Sequence, residues 1–152
     1  MSQVLSNNCP ECGEHGMYCK CSERARRQDV LRTGIYIAVK DCHEANVRAG
    51  WWTDLKTGES LIGKRNKGEL LCLIHSEISE AMEGERKGLM DDKLPHRQMA
   101  EVELADACIR IFDYCGAHGY DLAGAIIDKM AYNAKRADHK PENRAQAGGK
   151  KF

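Results

Sequence analysis

The chain has 152 residues with 23 basic and 23 acidic side chains, so its formal net charge is zero. It contains no apolar run near the ~20 residues of a membrane-spanning helix. That balance, without a long like-charge block, argues against a general nucleic-acid or membrane-surface binder, which needs a net basic face. Met1 to Asn8 lacks the basic and apolar regions of a secretory signal, and the expected location is cytoplasmic.

Residues 1–21 are short on apolar side chains but carry Cys9, Cys12, Cys19 and Cys21. Four thiols in so short a stretch cannot pack a core, yet they can bind an ion. Cys9-Pro-Glu-Cys12-Gly13 resembles a zinc knuckle, whose turn aims two thiolates at one metal. The segment therefore reads as a candidate structural Zn²⁺ site, with His15 able to replace one thiolate. A redox pair or a loosely ordered tail are its other readings. Cys42, Cys72, Cys108 and Cys115 fall singly within helical patterns and read as small core or surface thiols of a reducing compartment.

A first helix is predicted from Ser22 or Glu23 to about Ala49, with Ser22 as its N-cap and Leu31, Gly34, Ala38, Cys42, Ala45 and Ala49 on its apolar face. Gly50-Trp51-Trp52-Thr53-Asp54 breaks the pattern and opens a polar, glycine-bearing loop. Two adjacent tryptophans in a loop cannot share one core, so one is expected as a lid on the helices and the other free to stack on a base, although core packing is the leading expectation for each ring taken singly. A second helix spans about Gly68 to Lys87. Residues 88–96 form a loop in which Asp91 and Asp92 read as solvated acids, with a lid role as the alternative. A third helix runs from about Arg97 to His118 and is apolar on nearly every side, with Val102, Ala105, Ile109 and Phe112 covering the side away from Glu103. Such a helix needs cover from two directions, and a second subunit can supply it. Asp121 is the expected cap of a fourth helix that continues to about Ala137. The tail from Asp138 is polar and glycine-rich, with residues 141–152 mobile. No strand alternation stands out, so the fold is expected to be all-α, with residues 22–140 as its helical domain.

Two acid pairs carry the most information. Glu77 and Glu80 lie on the second helix, Glu103 and Asp106 on the third. At about 100° per residue, Leu70, Leu73, Ile74, Ala81 and Gly84 cluster around Glu77, while Met99, Ala100, Ala107 and Ile111 surround Glu103. An ordinary amphipathic helix puts its acids on the opposite face. Four carboxylates directed into one interface repel and lose hydration unless a cation neutralises them. Oxygen-only ligands of this kind suit Mg²⁺ or Mn²⁺. On the fourth helix Lys129, Tyr132, Asn133 and Arg136 share a face, a cationic and amide-bearing patch suited to phosphate oxygens. The alternative is a solvated basic last turn favoured by the helix dipole. His75 sits nearly opposite Glu77 and reads as a packed or surface ring.

The order E-x-x-E, 22 residues, E-x-x-D, then a helix bearing Lys129, Asn133 and Arg136 resembles the MazG-like all-α nucleoside triphosphate pyrophosphohydrolases of phage and bacterial genomes. Ile74-His75-Ser76-Glu77-Ile78-Ser79-Glu80-Ala81 and Glu101-Val102-Glu103-Leu104-Ala105-Asp106-Ala107 are especially similar. The likeness covers about residues 30 to 140 and leaves out the cysteine cluster. It implies a four-helix bundle that hydrolyses a (deoxy)nucleoside triphosphate to the monophosphate and pyrophosphate. Mg²⁺ would be bridged by Glu77, Glu80, Glu103 and Asp106, and a metal-bound water near Glu80 would attack. Arg110 would order the acids. The first helix with Trp51 and Trp52 would hold the base, and Lys64, Arg65 and Lys67 would steer phosphates. It further implies a homodimer or homotetramer, in a host cytoplasm for a phage protein. The competing readings are a zinc-knuckle binding module and an inactive nucleotide-sensing scaffold.

Overall fold

The structure, a computed structural model, describes Cys9, Gly13 and residues 20–151. Its architecture is all-α: α1 (Lys20–Arg48), α2 (Lys67–Lys87), α3 (Met99–His118) and α4 (Leu122–Lys135), followed by a 3₁₀ turn (Ala137–His139) and a four-residue helix, α5 (Pro141–Arg144). Among the described residues, β pairing is confined to two isolated bridges, Thr53 with Ser60 and Met90 with Gln98. No described helix is long and apolar enough to cross a membrane. The chain divides into two compact units, one of residues 36–121 and one of residues 1–35 with 122–152.

The unit of residues 36–121 is organised by an antiparallel hairpin of α2 and α3. Gly84 lies against Met99 and Ala100 near the connection, and Glu77 meets Arg110 further along. A Cβ on Gly84 would come within 3.0 Å of the Ala100 nitrogen, so the two helices approach closely only because glycine stands there. The Asn66 side chain caps α2 by accepting from the Gly68 and Glu69 amides at 2.9 and 3.3 Å. Gly88, in the left-handed conformation at φ 63°, ends it.

The connection between them departs from expectation. Asp91 is buried, and its Oδ1 accepts from the amides of Lys93 and Leu94 at 2.9 and 2.6 Å. It is the internal cap of the loop, where the sequence predicted a solvated acid; Asp92 is exposed, as predicted. Backbone bonds from Asp91 to Arg97 and from Met99 to Leu89 tie the two ends together. They hold Gln98 extended and start α3 at Met99, two residues after the predicted start.

In the same unit the C-terminal half of α1 is pinned to α3. His43 Nδ1 lies 2.7 Å from Asp113 Oδ1, and a Cβ on Gly116 would fall 2.6 Å from His43 Cβ. Trp52 is sealed, only 2% exposed, and burying its ring stabilises the unit by on the order of 3 kcal/mol. Trp51 is 64% exposed. One tryptophan is core and its neighbour is open, so core packing, the expectation for each ring taken singly, holds for Trp52 and not for Trp51.

The other unit contains α4, the first half of α1 and the tail. Helix α1 starts at Lys20, which places Ser22 inside the first turn rather than before it. No described residue of α1 is buried, although an apolar face was predicted. Helix α4 begins directly after Asp121, the position predicted for its cap, and buries Ala123, Gly124 and Ile127. It stops at Lys135. Arg136 is extended (φ −69°, ψ 128°) and its guanidinium grips Asp138 at 2.9 and 2.5 Å, which turns the chain into the 3₁₀ segment. The tail thus carries two short helical turns before its glycines, with Pro141 at the start of the second.

Candidate metal centre and adjoining pocket

Glu77, Glu80 and Glu103 each offer one carboxylate oxygen, and these oxygens lie within 4.8 Å of one another. The i,i+3 spacing puts Glu77 and Glu80 one turn apart on α2, and the hairpin brings Glu103 of α3 against them. Their surroundings grade from dry to wet: Glu77 is 7% exposed, Glu103 is half-buried and Glu80 is exposed. The fourth acid, Asp106, is not in this trio. It is exposed one turn along α3 and lines the neighbouring pocket.

Charge in the cluster is only partly compensated. Arg110 Nε donates to Glu77 Oε1 at 2.7 Å, which gives the most buried acid a cationic partner and matches the ordering role expected of Arg110. Glu103 has no such partner. Its pKa is raised above the ordinary 4.5 by burial first, then by the charge of Glu80, a hydrogen bond with Glu77, and the charges of Glu77 and Asp106. Three converging oxygens with unneutralised charge form a fitting donor set for a hard divalent cation, which would be held by Glu77, Glu80 and Glu103.

Beside the cluster opens a pocket of about 380 Å³, formed wholly within residues 36–121. Asp106 and Arg110 stand on its wall with Asn46, Trp51, Trp52, Arg65, Asp113 and Tyr114, and Leu70, Leu73 and Ile109 complete it. Arg65 places its guanidinium carbon 5.3 Å from the centroid of a Trp52 ring. Lys64 is not on this wall and pairs with Glu59 at 2.9 Å. His75 is exposed.

Sequence reading missed the inner end of this pocket. The Asp113 carboxylate receives the Trp52 indole N–H at 2.8 and 3.0 Å and His43 Nδ1 at 2.7 Å. The rings of His43 and His118 meet Trp52 edge-to-face, and Tyr114 continues the cluster from His118 to Tyr120. One signal was present: Asp106, Arg110 and Asp113 follow at i, i+4 and i+7, the spacing of a single helix face.

Further predicted site residues fall in the other unit. Lys129, Tyr132, Asn133 and Arg136 belong to it, and there Lys129 Nζ and the Arg136 guanidinium stand 5.0 and 5.9 Å from the Tyr132 ring centroid. The Asn133 Oδ1 is buried there without a hydrogen-bond partner. Of the candidate zinc ligands, Cys12 and Cys19 lie outside the described residues. Cys9 and Cys21 are half-buried, and the Gly13 amide closes a turn onto the Cys9 carbonyl at 2.8 Å. Burial raises the pKa of Cys115, and burial with the charges of Asp41 and Asp113 raises that of Cys42, which fits inert packing thiols. Compared with known proteins, the chain matches no family model, no curated protein and no solved structure.

Proposed function

We propose that the chain is a divalent-metal-dependent nucleoside triphosphate pyrophosphohydrolase of the MazG-like kind, releasing the monophosphate and pyrophosphate. The observation that carries this reading is the convergence of Glu77, Glu80 and Glu103 from two helices, with Asp106 extending the acids onto the wall of a pocket large enough for a nucleoside. A bound Mg²⁺ or Mn²⁺ would supply Lewis acidity and an activated water. Glu77, fixed by Arg110, anchors the buried side of the cluster. Glu80, on the wet side, is the carboxylate placed to orient a water, and Arg65 and Arg110 offer positive charge at the pocket. The exposed face of Trp51 supplies a stacking surface for the base.

The decisive assay is pyrophosphate release over a panel of ribo- and deoxyribonucleoside triphosphates with Mg²⁺ or Mn²⁺. Glu80→Gln removes a charge that a hard cation in the trio needs, and Asp106→Asn removes the neighbouring charge on the pocket wall; both keep side-chain shape. Both are expected to abolish release with helicity unchanged by circular dichroism. Near-wild-type turnover by either variant at matched Mg²⁺ defeats the assigned site.

A further inference from the structure

Hydrolysis leaves the inner wall of the pocket without a task. Asp113 is a buried carboxylate there, only 9% exposed, and its orientation is fixed. Oδ1 receives the Trp52 indole at 2.8 Å and faces His43 Nδ1 at 2.7 Å, while Oδ2 receives the same indole at 3.0 Å. A carboxylate has about four acceptor positions. These contacts use three, and the position left over belongs to Oδ2.

Resting on the nucleotide-hydrolase reading, we propose that Asp113 reads the base edge and selects nucleobases that carry an exocyclic amine over their oxo counterparts. The indole N–H can only donate, so it holds both oxygens as acceptors. An amine on the base, as in cytosine or adenine, supplies the donor that the remaining acceptor lacks. An oxo group, as in uracil or hypoxanthine, sets lone pair against lone pair and leaves a buried acceptor unpaired. Asn46, also on the wall, has an amide that can donate or accept and tolerates either base. Asp113 is the wall's buried acceptor-only group and makes the distinction, while Asp106, the other carboxylate there, is exposed beside the acid cluster. The same negative wall repels phosphate, which directs the nucleotide with its base inward and its phosphates towards Asp106 and the acid cluster. One face of Trp52 is taken by Arg65, so stacking falls to Trp51.

The test is calorimetric titration of the full chain with dCMP against dUMP and dAMP against dIMP, monophosphates whose binding requires no turnover. The amine-bearing member of each pair is expected to bind about tenfold tighter or better. Asp113→Asn, which retains an acceptor for Trp52 but can donate to an oxo group, is expected to erase or reverse the preference. Should that variant not fold, the wild-type pairs decide by themselves. Equal affinities within both pairs overturn the base-reading role. Absence of any monophosphate binding overturns the base-reading role, and the turnover assay decides the hydrolase reading separately. An amine preference without pyrophosphate release in the turnover assay upholds the pocket and removes only the reaction.

Discussion

Arg110 on α3 sets its Nε 2.7 Å from Glu77 Oε1 on α2, so the most buried acid of the cluster is held by a cation from the opposite helix. The Arg110 side chain is 44% exposed, which tempers the worth of the pair. Arg110→Ala is expected to cost about 1–2 kcal/mol in the absence of divalent metal, chiefly by leaving a buried carboxylate without its donor. Saturating Mg²⁺ is expected to restore part of that loss. Urea denaturation with and without Mg²⁺ measures both, and an unchanged midpoint for the metal-free variant would show that the pair is idle.

Glu103, like Glu80, makes no ion pair among the described residues, and its half-buried environment works against its charge. Glu103→Gln is therefore expected to stabilise the metal-free chain, by on the order of 0.5 kcal/mol, while removing stabilisation by Mg²⁺. Thermal melts across a Mg²⁺ series provide the comparison. A variant that still gains melting temperature from Mg²⁺ as wild type does would place the ion elsewhere.

Asp91 caps its loop through two amides from a buried position. Asp91→Ala is expected to cost about 1–2 kcal/mol and to loosen the α2–α3 connection, while Asp92→Ala leaves stability within about 0.5 kcal/mol of wild type. Hydrogen exchange at Lys93 and Leu94 reads the local part of this. Unaltered protection in the Asp91 variant would contradict the capping role.

His118 makes stability depend on pH. Its pKa is lowered from 6.5 by burial and by the charge of Lys67, and its Nε2 is buried without a partner. The folded chain therefore prefers the neutral ring, and the unfolded chain binds the proton first as pH falls. The contribution of His118 is complete above about pH 6.5, is lost as pH falls through the lowered folded value, and then levels off. Denaturation midpoints from about pH 7.5 down to about pH 5 should fall in wild type and fall less in His118→Phe. Parallel slopes in the two proteins would assign the dependence to other groups.

Leu71, Ile78 and Met82 are all exposed and recur on one face of α2, turned away from Glu77, and Leu104 on α3 is also exposed. A stripe of that kind, with α1 burying nothing among its described residues, fits a working unit of at least two chains. Light scattering should give a mass well above the single-chain 17.0 kDa, and Ile78→Asp should lower it or cause aggregation. A wild-type mass at that single-chain value in active protein would refute self-association.

What was legible in the sequence follows from range. Helices α2 and α3, their acids and Arg110 declare themselves through spacings of three and four residues, which are local. Gly88 and Gly119 mark helix ends by conformations that disfavour a Cβ. The Asp113 cage was not legible in the same way, because its partners Trp52 and His43 lie 61 and 70 residues away and meet it only once the end of α1 and the segment after it pack on α3. Asp91 looked like loop solvation for the same reason: its burial is a product of loop closure. Arg136 was expected to continue α4, but the helix stops at Lys135 and the extended Arg136 pairs with Asp138 two residues on.

Trp51 and Trp52 are neighbours in sequence and opposites in exposure, and that gives the chain two light sources of different colour. Excited indole relaxes to longer wavelengths when water can reorient around it, so Trp51 emits to the red and yields to acrylamide, while sealed Trp52 emits to the blue and resists it. Both rings border the pocket. Occupancy is therefore written first in the red band, and collapse of the Asp113 cage first in the blue. A Trp51→Phe protein leaves only the inner lamp, a spectroscopic gauge of the core free of the ligand signal.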